Sequence, residues 1–386
     1  MRSPIVFIPQ TPDFGGAEKH LIELVRALDP SRESIIWYHP VDFYSPFLRD
    51  RPNVRVLARP ARITRASVWS FWLSLVRLRP AVVVFVKGVY DAHPWYAYLA
   101  VRLSGARRFV VIEQLIANPA PPDAPGSGAA ARLRRVFGWR ARHLLARRLQ
   151  GRLADVTVCV SEAVRQRLVT EYRYPAEKAV TIYNGVDLGA FGRGNHTGAD
   201  SLAARADSSD RPVTLVCVAR LSPVKRIDLL LDALALISEV YRPWRCLIVG
   251  GGRLEADLRA RAEKLGLSAA VHFTGHVEEV RPYLESADVC VLSSEKEGLP
   301  LSLVEAMAYG LPCVVTDVGG NREIVLHRRT GLLVEFGSPE ALARAIEYLL
   351  GHPEERKRMG EEALKHVRAH FDSSRMLERF KRLLTP

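Results

Sequence analysis

Two glutamates eight positions apart, Glu297 and Glu305, enclose Gly298-Leu299-Pro300-Leu301-Ser302-Leu303-Val304. The apolar run ending at Leu292 predicts a strand, and the pattern through Ala308 predicts a helix that opens between the two carboxylates. Amides at a helix N-terminus, with the positive end of its dipole, suit a diphosphate, and flanking carboxylates accept hydrogen bonds from sugar hydroxyls. Glu297, Gly298, Leu301, Ser302 and Glu305 are therefore candidate contacts for a phosphorylated sugar. The pair Ser302 and Glu305 also has the spacing of a capping box, which begins many helices that meet no ligand. Spacing alone leaves both readings open.

Downstream, Ala306-Met307-Ala308-Tyr309-Gly310-Leu311-Pro312 leads to Thr316-Asp317-Val318-Gly319-Gly320-Asn321 and Glu323, where a second glycine turn ends a strand and opens a helix. Here the chain resembles the family-4 glycosyltransferases, a retaining group with the GT-B fold whose signature is a Glu, seven residues and a Glu. Three further stretches match that family in order, and the likeness covers nearly the whole chain. Gly15-Gly16-Ala17-Glu18 resembles the family's glycine loop, where backbone without side chains approaches the donor closely. Val218-Ala219-Arg220-Leu221 with Lys225 and Arg226 resembles its phosphate-binding pair, here Arg220 and Lys225. Tyr183-Asn184-Gly185-Val186-Asp187 is similar to an Asn-Gly-Val-Asp element that closes the first domain, and an Asn-Gly turn accounts for it structurally.

The resemblance implies roles for these positions. Arg220 and Lys225 would stabilise the charge that builds on a departing nucleotide diphosphate, in place of a metal. Arg220 follows an apolar strand directly, where a charge needs an anionic partner if it is buried. Gly250-Gly251-Gly252-Arg253 and Thr274-Gly275-His276-Val277 resemble the two loops that border the nucleotide base, with Gly250, His276 and Val277 as contacts. Glu305 would accept from ribose hydroxyls and Glu297 from those of the transferred sugar. Where many members carry a catalytic His, the run Phe109-Val110-Val111-Ile112-Glu113 places Glu113, which either takes a proton from the acceptor or has only a structural partner. His93, before Pro94, ranks below it. The implied reaction is front-face transfer with retention from a nucleotide-sugar, UDP- or GDP-linked. No Asp-x-Asp pair stands at a strand end and no His/Cys/carboxylate cluster has ligand spacing, so a metal-independent reaction is expected.

Elements that position these residues alternate along the chain. Strands are expected at 5–8, 34–38, 81–86, 109–112, 156–160 and 180–182, then at 213–218, 246–249, 271–274, 289–292 and 313–316. Helical patterns separate most of them, beginning with 17–28, so the fold class is α/β with parallel sheets covered by helices. The polar, glycine-containing stretch 188–211 reads as a linker. The organisation is thus a Rossmann-like acceptor domain over 1–187, a Rossmann-like nucleotide-sugar domain over 212–365, and a helix over 366–386. In the GT-B fold the two sheets face across a cleft and the terminal helix crosses back to the first domain. The Pro/Gly/Ala-rich segment 119–128 reads either as a mobile active-site loop at that cleft or as a plain surface loop.

Bulk composition narrows the partners. The 386 residues carry a net charge of +13, but residues 1–186 hold 28 Lys and Arg against 14 Asp and Glu while the remainder holds 27 against 28. A basic first half meets something anionic or spreads arginines over solvated helices. Segments 62–79 and 132–152 combine arginines with aromatic and aliphatic residues and suit an anionic bilayer, the first reading better as a core helix. If 132–152 lies on the bilayer, the acceptor is a lipid-linked or surface glycan precursor at the cytoplasmic leaflet; a soluble acceptor is the alternative. Five cysteines, Cys159, Cys217, Cys246, Cys290 and Cys313, sit singly in apolar runs and read as core residues. With no membrane-spanning run and no signal-peptide pattern, a cytoplasmic protein is expected, peripheral at the inner face of the membrane. Rival readings are an epimerase or phosphorylase of the same architecture and a non-catalytic binder of anions or nucleic acid, against which no nucleic-acid motif is found.

Overall fold

The computed structural model describes residues 3–9, 16–29, 31, 34–38, 44–58, 63–87, 94–115, 129–189, 211–237, 239–241 and 243–384. The chain divides into two units, Met1–Tyr183 with Leu377–Pro386, and Asn184–Met376. Gly15, His93, the segment 119–128 and most of the expected linker lie outside the described residues.

The first unit is built on β1 (Ile5–Pro9), β2 (Ser34–Tyr38), β3 (Val54–Ala58), β4 (Val82–Lys87), β5 (Arg108–Glu113), β6 (Val156–Cys159) and β7 (Ala179–Thr181). They form one sheet in the order β3-β2-β1-β4-β5-β6-β7, with every adjacent pair parallel. Central strands read as unbroken apolar runs because helices cover both faces, and all six residues of β4 are buried. The sheet reverses direction between β1 and β4. Right-handed crossovers then place the helices Val68–Leu78, Trp95–Leu103 and Ala129–Leu153 on one face, opposite Gly16–Ala27. Phe71 and Leu75 from the first of these pack with Phe85, Tyr98, Val101 and Phe109 in one core, where the Phe85 and Phe109 rings meet edge to face at 5.0 Å.

The second unit repeats the plan with β8 (Val213–Val218), β9 (Trp244–Val249), β10 (Val271–Gly275), β11 (Val289–Leu292), β12 (Cys313–Thr316) and β13 (Gly331–Val334). Its order is β10-β9-β8-β11-β12-β13, again all parallel. All five cysteines are buried, and Cys217, Cys246, Cys290 and Cys313 lie on its strands.

Two differences from the sequence expectation have clear causes. β3 was not expected because it is an edge strand whose side chains stay half-exposed, and β13 because Gly331 opens it. A side chain at Gly331 would meet the Cys313 carbonyl at 2.2 Å, so the residue that disguises the strand is the one that lets it pair. The terminal helical stretch is two helices, Pro353–His370 and Ser373–Leu384, separated at Phe371-Asp372. There Phe371 O accepts from Val186 N (2.9 Å) and Ser373 N donates to Val186 O (2.9 Å), taking the chain out of its helical pattern. Among the described residues no helix is long and apolar enough to cross a membrane.

Candidate active site

Strand order decides where the second unit can hold a ligand. From β8 the chain winds outward through β9 and β10, then returns to β11 on the other side of β8 and winds outward again. Loops leaving the carboxyl ends of β8 and β11 therefore turn to opposite faces, and a crevice opens where they part. The Arg220–Lys225 loop and the Glu297–Glu305 segment, far apart in sequence, are those two loops.

They are fastened at several points. Glu295 N donates to Val224 O (2.8 Å), and Ser293 Oγ donates to the carbonyls of Lys225 (3.1 Å) and Arg226 (2.8 Å). Lys225 Nζ donates to Glu297 Oε1 at 2.6 Å, with the Glu297 side chain 8% and the Lys225 side chain 20% exposed. On the far side of Glu297, Gly319 adopts φ +52°, and a Cβ there would fall 1.9 Å from the Glu297 carbonyl oxygen. The second glycine turn of the sequence thus exists to let the β12 loop lie against the Glu297 backbone. Thr316 Oγ1 completes the bracing by donating to Ser294 O (2.7 Å).

Helix Leu301–Ala308 starts at the N-cap residue Pro300, and no side chain caps it. The capping box allowed by the spacing does not form: Ser302 lies inside the first turn and Glu305 one turn further on. The first-turn amides, Leu301 and Ser302 among them, are left to a ligand or solvent beside the Lys225–Glu297 pair. Ser302 and Glu305 are half-buried, and Gly298 is buried.

The β9 and β10 loops close against the β8 loop. Leu221 N donates to Gly251 O (2.9 Å) and Gly250 N to Gly275 O (3.1 Å). Gly250 takes φ +132°, with its missing Cβ position 2.2 Å from Ala219 O, so glycine is required for this contact. A Cβ at Gly251 would lie 3.1 Å from His276 N, which brings the two proposed base-bordering loops together. His276 is exposed and Val277 half-buried. Arg220 is exposed as well, so the argument that burial forces an anionic partner on it does not hold. Beneath the site burial pushes the Cys217 thiol well up, keeping it protonated, and it likewise holds Tyr309 up at about 12.

In the first unit Glu113 is 1% exposed and both its oxygens are engaged. Arg147 NH2 donates to Oε1 (3.1 Å) and NH1 to Oε2 (3.4 Å), while Lys87 Nζ lies 3.4 Å from Oε2. Lys87 Nζ also donates to Gln150 Oε1 (3.4 Å), and the Arg147 guanidinium stands 4.9 Å from the Tyr172 ring centroid. Glu113 is thus the shared anion of a buried cluster joining the ends of β4 and β5 to helix Ala129–Leu153. Sequence reasoning found Glu113 and missed its partners; the available signal was Lys87, the charge that ends the otherwise apolar strand β4. Gly16 opens the helix Gly16–Ala27, which carries Glu18 and His20, both buried.

Comparison with known proteins follows the same division. The model for Glycosyltransferase Family 4 matches residues 14–190, and that for Glycosyl transferases group 1 matches residues 200–366. N-acetyl-alpha-D-glucosaminyl L-malate synthase of Bacillus anthracis is 30% identical over 229 residues, 59% of this chain and 58% of that protein. The GDP-mannose-dependent alpha-(1-6)-phosphatidylinositol monomannoside mannosyltransferase of Mycobacterium tuberculosis is 34% identical over 205 residues, 51% of this chain and 52% of that one. The chain thus spans about half the length of the curated relatives it matches. Among solved structures, Anabaena Alr3699/HepE in complex with UDP and glucose superposes over 100% of both chains with TM-score 0.77 at 20% identity. WaaG, a glycosyltransferase involved in lipopolysaccharide biosynthesis, does so over 99% of both with TM-score 0.71 at 16% identity, and these likenesses are of fold. Two Rossmann-like sheets, a family model matched in each half and the Glu297–Glu305 signature at the second sheet's switch point converge on one conclusion: the chain belongs to the family-4 glycosyltransferases and has their GT-B fold.

Proposed function

We propose that the chain is a retaining, metal-independent glycosyltransferase that moves a sugar from a UDP- or GDP-sugar onto a lipid-linked or surface glycan precursor at the cytoplasmic face of a membrane. The observation that carries this reading is the Lys225–Glu297 pair beside an uncapped helix N-terminus at the switch point. A cation, a carboxylate and free amides together match a diphosphate joined to a polyol. Lys225 has three N–H donors, and the bond to Glu297 uses one, so the same ammonium can hold the Glu297 carboxylate in place and bind a phosphate oxygen.

As the glycosidic bond to the diphosphate breaks, negative charge grows on the leaving group. Arg220, Lys225 and the Leu301 and Ser302 amides stabilise that charge more than they stabilise the bound donor, which lowers the barrier. Glu297 accepts from the hydroxyls of the transferred sugar and Glu305 from the ribose, while Gly250, His276 and Val277 border the base. By the same family resemblance Gly15 and Gly16 would be donor contacts too. Glu113, with both oxygens already committed, supports a positioning role better than proton transfer, which passes to a donor phosphate oxygen. The relatives favour a nucleotide-sugar and, in the mannosyltransferase, a phosphatidylinositol-based acceptor.

The test is a thermal-shift series with UDP, GDP, ADP and their sugars in the presence of a metal chelator, on the wild type and Arg220→Ala. Stabilisation by one nucleotide, lost in Arg220→Ala, is the expected result. No response to any nucleotide would return the protein to the anion-binding reading, and a response requiring a divalent ion would remove the metal-independent mechanism.

A further inference from the structure

The helices Val68–Leu78 and Trp95–Leu103 pack side by side on one face of the first sheet. Their inner sides are fully occupied, with Phe71, Leu75, Tyr98 and Val101 in the core. Their outer sides are apolar too. Trp69 is 69% exposed, Leu73 43%, Trp95 42%, Leu99 38% and Leu103 64%. The first two lie four residues apart and the last three at successive four-residue steps, so each helix presents one outward stripe. Trp72 joins the stripes, donating from Nε1 to Leu103 O (3.0 Å) while its ring meets Trp69 edge to face at 5.6 Å. At the other end Tyr96 OH donates to Ile63 O (3.1 Å). Single exposed apolar residues are ordinary, but five large ones on two coupled helices form a patch whose exposure the fold does not require.

Charge identifies what covers it. No Asp or Glu occurs between Arg51 and Tyr90, or between Ala92 and Ile112. Arg77 continues the Trp69–Leu73 stripe one turn on, and Arg65, Arg79 and Arg107 stand at the helix ends. All four are exposed and enter no ion pair among the described residues. Arg102 is separate, bonded to Asp155. A second copy docked through this face about a two-fold axis would set arginine against arginine. Tryptophan and leucine flanked along the helices by arginines that enter no ion pair among the described residues instead match the interface of an anionic bilayer, where indole rings sit at headgroup depth and each nearby cation adds attraction.

We propose that the outer face of helices Val68–Leu78 and Trp95–Leu103 is a docking surface for anionic lipid. This rests on the proposed function for its purpose, bringing the enzyme to a lipid-linked acceptor, and names the surface that does so. The sequence reading of 62–79 set a bilayer contact beside a core helix and preferred the core: the inner side of the helix is core, and the outer side is apolar and exposed.

The experiment is sedimentation of the purified chain with vesicles of phosphatidylcholine alone or with about a third phosphatidylglycerol. Four proteins are compared: the wild type, a Trp69→Ser, Leu73→Ser, Trp95→Ser triple variant, an Arg65→Glu, Arg77→Glu double variant, and Val240→Ser, which changes an 83% exposed apolar residue of the second unit. Wild type and Val240→Ser should bind the anionic vesicles at least about ten-fold more tightly than the neutral ones, and the triple variant should lose about ten-fold or more. An Arg65→Glu, Arg77→Glu variant should lose anionic selectivity. Nucleotide-dependent thermal shift, measured on every variant, verifies folding and reports on the transferase reading separately from vesicle binding. Equal binding by wild type and triple variant would overturn the proposal, as would absence of wild-type binding. So would a wild-type dimer that the triple variant dissociates, which assigns the face to a second copy.

Discussion

Lys225 Nζ and Glu297 Oε1, 2.6 Å apart, couple the loop that follows β8 to the loop that follows β11, so a charge pair spans the switch point of the second sheet. Neither member is fully exposed, and removing one strands the other in a poorly hydrated place. Glu297→Ala should therefore destabilise the fold by about 1–2 kcal/mol, below the value for a fully buried pair because Lys225 retains solvent contact. A Lys225→Met, Glu297→Ala double variant should recover part of that loss in urea melts while transferase turnover stays down by about 100-fold or more. Recovery of turnover in the double variant would mean that the pair serves the fold alone.

Gly319 tests whether the site depends on backbone fit. With φ +52° and the Glu297 carbonyl 1.9 Å from its absent Cβ, Gly319→Ala must push the two loops apart, at a cost of more than about 2 kcal/mol. Nucleotide binding should weaken with it. Gly337→Ala is the control: its φ is +91°, but nothing lies within 4 Å, so it should lose stability without losing nucleotide.

The cluster at Glu113 predicts a different separation. Glu113→Gln leaves Lys87 and Arg147 buried without their shared anion and should cost about 3–5 kcal/mol. Glu113 and the loops proposed to contact the nucleotide belong to different units, so affinity for the nucleotide should be unchanged in the folded fraction. A wild-type melting temperature with turnover abolished would instead make Glu113 a catalytic residue.

Burial of His20 lowers its imidazole from 6.5 to about 4. The unfolded chain thus takes up a proton near pH 6.5 that the folded chain refuses until about pH 4. Stability is full above this window and is lost as pH falls through it, by on the order of 3 kcal/mol. Glu23 Oε2, 3.8 Å from Nδ1, is too distant to reverse the sign. His20→Leu should flatten this part of the profile, read as urea midpoints from neutral pH down to about pH 4. An unchanged slope would show that the histidine is protonated in the fold.

All five thiols are buried; burial raises those of Cys159, Cys217 and Cys246, and the hydrogen bond with Cys313, with burial second, raises that of Cys290, so none should react with a thiol reagent in the native state at neutral pH. Five should react together on unfolding. A single fast thiol would locate a breach in the core.

Much of this was legible in the residues because parallel strands covered on both faces leave unbroken apolar runs, and 34–38, 213–218, 289–292 and 313–316 coincide with the observed strands. The Glu297 segment was legible through its glycine turns, yet its capping-box alternative could be dismissed only when Pro300 proved to be the N-cap. What sequence could not give was coincidence in space. Lys225 and Glu297 are 72 residues apart, and their pairing follows from strand order, which spacing does not encode. The same holds for Arg147, which among the described arginines of its helix, Arg142, Arg147, Arg148 and Arg152, is the buried one.

The division of the chain also has a consequence for its synthesis. Leu377–Pro386 belongs to the first unit, with Phe380 and Leu384 buried, although the whole second unit is translated before it. The first unit therefore leaves the ribosome unfinished and stays so until Leu377–Pro386 has been made. The second unit, contiguous from Asn184 to Met376, can complete its own core first, so the part made later is the part that can mature earlier.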